Sequence, residues 1–215
     1  MNFIFHLFQS VNLLLTWFGF LSGTDAQDSG DLKTALLIVP PDFEPIEIAT
    51  VLSVLVEAGV QVKMTSITAD TKPIQGVTKI QIIPDSSLPT LDEPLYSALV
   101  ITGGEESVWN MIETPLLLKL IEHYGHENRV IGANNMTPKL LQACSVYRGH
   151  TITSSWAIRR YLSIYRFVYR KTHVDRLLVT GSSVGYSLQW AFALVARLIS
   201  DQYALKLANQ WLLTS

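Results

Sequence analysis

Short apolar runs bounded by turn residues alternate along this chain with stretches of helical periodicity. The first run, 35–39 (ALLIV), stops at Pro40-Pro41. A buried strand reads this way: apolar on both faces, then ended by residues that cannot continue the pairing. The following segment places apolar residues at Ile46, Val51, Val54, Leu55 and Ala58 and stops at Gly59. It is expected to be a helix, capped by Asp42 and closed by Gly59. Further strands are expected at 60–64, 79–83, 96–102, 130–133 and 177–180, and helices at about 114–124, from 137 to 144, 185–199 and 202–213. Nearly all-apolar strands alternating with helices imply an α/β fold, a mostly parallel sheet covered on both faces.

The 215 residues suit one such domain, and 48% hydrophobic against 16% charged residues allow a large core. A net charge of −2 gives no global pull towards nucleic acid or an anionic membrane. The single cysteine, Cys144, excludes an internal disulfide and a cysteine-based zinc site. His123 and His126 flank a helix end and are expected to be solvent-exposed, and His150 and His173 have no partners at metal-ligand spacing, so neither metal nor cofactor is expected.

Residues 1–22 (MNFIFHLFQSVNLLLTWFGFLS) contain no Lys, Arg, Asp or Glu. The apolar run 13–21 has the length of a signal-peptide core, and Ala26 is a candidate last residue before cleavage. The leading expectation is a leader over 1–26, a polar linker over 27–33 and one domain over 34–213, exported to the secretory pathway or beyond. A membrane anchor is disfavoured because His6, Gln9, Ser10 and Asn12 interrupt a span that needs about 20 apolar residues. The third reading is an extension on a cytoplasmic protein.

Ligands of parallel α/β sheets sit beyond the carboxyl ends of the strands. At the first end, PPDFEPIE puts Glu44 and Glu47 three apart at a helix start. Acids also favour helix N-termini for purely structural reasons. At the second, Gly103-Gly104 permits a close turn whose N–H groups could face an anion. At the third, the strand residues IGA run into NNMTP and a helix, the strand–turn–helix geometry that presents a nucleophile. Asn135 occupies that turn.

Together these segments resemble the ThiJ/PfpI superfamily, most closely its parkinsonism-associated deglycase branch. The matching stretches are ALLIVPPDFEPIEIATVLSVLVEAGVQV, PIQGVTKIQIIPDSSL, ALVITGGEESVWNM, RVIGANNMTPKLL and LLVTGSSVGYSLQWAFALV, spread from about Lys33 to Gln210. The resemblance implies a flavodoxin-like three-layer sandwich. It implies that Glu47 matches the family's helix-start glutamate and Gly103-Gly104 its oxyanion-type donors. The family's nucleophilic cysteine falls on Asn135 and its nearby histidine on Ser155. Other family cysteines fall on Gly76 and Ile83, and an arginine that reaches the pocket across the dimer falls on Thr78. It also implies a homodimer built on the first helix and neighbouring strands.

The family's chemistry, attack on glyoxal-type aldehydes or oxidation to a sulfinic acid, needs a thiolate. An amide does neither. Asn is, however, among the residues most tolerant of the positive φ that such a turn demands. Two readings of the site follow. Asn135 is a turn residue alone, or Glu47, Gly103, Gly104, Asn135, Met136 and Ser155 line a polar pocket for an unidentified small molecule. The expected function is a non-catalytic family member that acts by binding, in an oxidative-stress or reactive-carbonyl context by resemblance only. The alternative is a diverged enzyme that uses Glu47 as acid or base. No stable membrane span and no nucleic-acid partner are expected.

Four further features carry readings of their own. Asn135-Met136-Thr137 is a glycosylation sequon at an expected buried turn. Cys144, nine positions past Asn135, is expected to be a buried helix residue. Ser182, Ser183 and Ser187 have no supporting His–Asp pair. Residues 159–176 (RRYLSIYRFVYRKTHVDR) carry six basic residues and one acid, with tyrosines interleaved. They read either as a heparin-like or nucleic-acid patch or as a solvated strand face.

Overall fold

The computed structural model describes residues 32–91 and 96–213, and the leader and most of the linker lie outside the described residues. A seven-stranded sheet forms the centre. In chain order the elements are β1 (Thr34–Val39), α1 (Pro45–Glu57), β2 (Gln61–Ser66), β3 (Ile74–Gln75), β4 (Gln81–Ile82), β5 (Ser86–Ser87), β6 (Ala98–Ile101), α2 (Glu105–Ile112), α3 (Pro115–His126), β7 (Val130–Asn134), α4 (Pro138–Ala143), β8 (Thr151–Ile152), β9 (Arg166–Phe167), β10 (Thr172–Asp175), β11 (Leu178–Gly181), α5 (Ser187–Leu198) and α6 (Asp201–Leu213).

The strands stand in the order β10-β11-β7-β6-β1-β2-β5. All neighbours are parallel except β10 and β11. The two faces follow from the pleat, which sends alternate side chains to opposite sides. Ala35, Leu37 and Val39 of β1 enter the core shared with α1, α5 and α6. Leu36 and Ile38 enter a second core with residues of α2, α3 and α4. An uninterrupted apolar run is what a strand between two helical layers requires. The largest fully buried side chain is Trp190 on α5, and its Nε1–H donates to the Val179 carbonyl at 3.1 Å.

Several expectations are corrected. Residues 79–83 are not a strand of the main sheet: β4 pairs antiparallel with β3 in a separate hairpin. Ile80 and Ile83 are exposed there, so the apolar run marks a surface rather than a core. One sheet edge is formed by β5, a two-residue strand at Ser86–Ser87 where no strand was expected. Asp42 does not cap α1; it adopts φ 57° in the preceding turn, and Glu44 is the N-cap residue without a side-chain cap bond. The helix α2 and the antiparallel edge strand β10 were not foreseen. Segment 159–176 is no continuous strand face but a 3₁₀ turn, Trp156–Tyr161, followed by β9 and β10.

Candidate functional site

The strand order places a topological switch beside β1. From β1 the chain winds outward through β2 to β5, then returns to β6 on the other side of β1. The connections leaving β1 and β6 therefore run to opposite sides of the switch, the usual ligand position in open α/β sheets. Glu47 enters this region from the first turn of α1, and Gly103 follows β6.

Glu47 is fully buried, and its Oε2 accepts the Gly103 N–H at 2.9 Å. The residues are 56 apart in sequence, so the fold alone brings them together. Burial is the dominant influence on the carboxyl and raises its pKa from 4.5 to about 7. The Gly103 N–H and the nearby Asn135 amide hold the rise back, and Glu44 adds to it. Among the described residues Oε1 has no partner within hydrogen-bond geometry. Near neutral pH the carboxyl is partly protonated, and the neutral form can donate one hydrogen bond.

Gly103 is required by space. A Cβ there would come within 2.5 Å of Ser107 Oγ and 2.9 Å of Met111 Cε. Gly104, the N-cap residue of α2, has nothing within 4 Å of an added Cβ, so the site is open above it.

The elbow after β7 has the expected backbone. Asn135 adopts φ 58°. Its N–H donates to the Gly181 carbonyl at 3.0 Å, and its own carbonyl accepts the Ser155 N–H at 2.8 Å. Thr137 Oγ1 stands 3.1 Å from the Ile101 carbonyl and 2.8 Å from the Asn134 carbonyl, which clamps the elbow to the end of β6. Asn134 is buried against Gly181, where an added Cβ would collide with Asn134 Oδ1. Asn134 and Thr137 are holding residues that the sequence reading passed over. Their signal is only local, since polar residues flanking a strand end are common.

The structure thus joins Glu47 to Gly103, and Asn135 to Ser155 through the backbone. Met136 is half-buried and packs against the core on the α2–α4 side. Gly76 lies in the β3–β4 turn, where a Cβ would meet Phe43 at 2.8 Å; Ile83 and Thr78 are exposed.

Cys144 is half-buried at the end of α4, its Sγ 3.5 Å from the Leu118 carbonyl. Burial pushes its thiol up to about 12, so it stays protonated and unreactive. Ser187 and Ser182 hydroxyls donate to the carbonyls of Val184 and Lys171 at 2.7 and 3.0 Å. His123 and His126 are exposed, and His150 Nδ1 lies 3.5 Å from Asp175 Oδ2. Among the described residues there is no group of three or more side chains suited to a metal. Nor is any described helix long and apolar enough to cross a membrane.

Similar proteins share this arrangement of elements. The chain is 24% identical to the Parkinson disease protein 7 homolog of Danio rerio over 176 residues, covering 80% of this chain and 93% of that protein. It is 26% identical to protein dj-1beta of Drosophila melanogaster over 179 residues, covering 82% and 95%. The crystal structure of Drosophila DJ-1beta superposes with a TM-score of 0.80 at 24% identity, covering 85% of this chain and 98% of that one. Oxidized DJ-1 of Toxoplasma gondii gives 0.78 at 20% identity, covering 84% and 98%. These likenesses establish a flavodoxin-like fold. Residues 33–197 match the DJ-1/PfpI family, and the chain belongs to it.

Proposed function

We propose that this protein is a non-catalytic DJ-1/PfpI member that binds a small polar ligand at the β1–β6 switch point. One observation carries the reading. The elbow keeps its positive φ and faces a buried carboxyl with an unpartnered oxygen, yet the residue it presents is an amide. The proposed ligand offers Oε1 the hydrogen-bond partner it lacks among the described residues. Without a thiolate at Asn135 the family's covalent chemistry has no first step. A reactive-carbonyl or oxidative-stress setting rests on family resemblance alone.

The test is turnover of a glyoxal-type aldehyde by the purified protein. None is expected, whereas Asn135→Cys should give a thiol that alkylates faster than Cys144. Turnover by the unmodified protein, lost in Glu47→Ala, overturns the proposal.

A second reading, Glu47 as a general acid or base, is favoured by its pKa of about 7. It requires an activity whose pH profile bends near 7 and flattens in Glu47→Gln.

Export is part of the proposal through the apolar leader, and N-terminal sequencing of the native protein tests it. A start at Gln27 is expected; a start at Met1 returns the protein to the cytoplasm. A homodimer is proposed through α1 and the β3–β4 hairpin. Ile46, Ile80 and Ile83 are 57%, 53% and 68% exposed beside a depression of about 480 Å³ that Phe43, Leu52 and Met64 also line. Sedimentation should give a dimer that Ile83→Lys dissociates. A parent protein that stays monomeric at micromolar concentration removes this part.

A further inference from the structure

The segment that follows Ser155 brings together what its sequence scatters. Hydrogen bonds fold it back against the residues that precede it: Val168 N–H donates to the Ile152 carbonyl at 2.9 Å, and the Thr153 hydroxyl donates to the Arg170 carbonyl at 2.7 Å. Trp156 and Tyr169 thereby meet with ring centres 5.4 Å apart, and Phe167 packs on Tyr169 at 5.3 Å. The Arg159 guanidinium lies 5.0, 5.5 and 5.3 Å from the rings of Trp156, Phe167 and Tyr169. These side chains do not hide from water. Trp156 is 63% exposed and Tyr169 68%. A shallow depression of about 580 Å³ opens between Trp156, Arg159 and Arg160.

The positive charge here is unbalanced. Arg159, Arg160, Arg166 and Arg170 are exposed and form no ion pair among the described residues. The one acid of the segment, Asp175, is already used, accepting the Thr151 N–H at 2.7 Å and facing His150. Arg159 and Arg160 line the depression with the Trp156 ring, and Arg166 and Arg170 stand exposed on the same short segment; on a chain of net charge −2 this is a local feature rather than a general basicity.

The geometry points to a linear sulfated polysaccharide as the occupant. Sulfate oxygens suit the guanidinium fork, and the apolar face of a sugar ring suits an exposed indole or phenol. A nucleobase held between two rings needs about 7 Å between them, twice the optimal carbon–carbon separation. Trp156 and Tyr169 are closer than that and offer outer faces instead of a slot. The choice of this polymer rests on the export proposed above, which would bring the domain among such polymers. The patch is independent of ligand binding at Glu47.

The experiment measures binding of the purified protein to a heparin oligosaccharide, its desulfated counterpart, a single-stranded RNA of equal charge, and anionic phosphatidylserine vesicles. Heparin should bind and release with added salt, and the other three probes should bind at least about tenfold more weakly. Arg160→Ala with Arg170→Ala should weaken heparin binding about tenfold and reduce its salt dependence. Trp156→Ala should weaken it several-fold with the salt dependence kept. Lys119→Ala, on α3, should leave it unchanged. Arg159 packs among the rings, so it is left intact and circular dichroism checks each variant. Absence of heparin binding, equal binding of the desulfated chain, tighter binding of RNA or vesicles, or indifference to Trp156→Ala in a folded protein each overturn the proposal.

Discussion

The elbow after β7 and the strip that begins at Trp156 are neighbours, tied by the hydrogen bond from Ser155 N–H to the Asn135 carbonyl. They treat charge in opposite ways. At the elbow one carboxyl is sealed inside the fold, and burial pushes it towards the neutral state. On the strip, the side chains of Arg159, Arg160, Arg166 and Arg170 stand in water. A buried group must be satisfied by fixed partners, so its surroundings are tight and a change is felt throughout. An exposed group is satisfied by solvent, so it is free to meet a partner and costs little to alter.

The largest expected effect tests the buried side of this contrast. A carboxyl raised from 4.5 to about 7 in the folded state binds more protons there than in the unfolded chain between those values. Stability therefore falls as pH rises through that window and is level above it. Relative to Glu47→Gln, the parent protein should lose about 3 kcal/mol between pH 4.5 and 8, measured by urea unfolding. A flat difference shows that the carboxyl is hydrated.

Gly181→Val comes next. Its side chain drives into Asn134 and Trp190 and unseats the carbonyl that holds Asn135. A loss of about 2 kcal/mol is expected in the same measurement. Asn135→Ala should cost about 1 kcal/mol through the positive φ, with Asn135→Gly close to neutral. If both variants behave alike, the side chain does more than hold the turn. Tyr169→Ala, on the strip, should move stability by roughly 0.5 kcal/mol or less. A larger loss means that the rings support the fold.

Much of the fold could be read from the chain because buried parallel strands announce themselves. ALLIV and YSALVIT are apolar without a polar face, and only a strand between two layers tolerates that. The hairpin at 74–82 misled for a related reason. Its isoleucines have strand character, but local pattern does not say whether an apolar side chain faces a core or the surface. The helix α2 escaped notice because it has eight residues and opens with two glutamates, too short a period to register. Asn135 was readable at the level of backbone, since its side chain suits the conformation that the turn takes.

The sequence by itself determined the alternation of strands and helices, the residue at the elbow and the number of thiols. Those are properties of neighbouring residues and their periods. Tertiary structure decided that Glu47 is sealed and reaches Gly103, that Asn134 and Thr137 clamp the elbow, and that Trp156 meets Tyr169 around Arg159. Each of these joins residues through the strand order or the return of a loop. Burial, which moves the Glu47 carboxyl towards neutrality, exists only once the layers have closed.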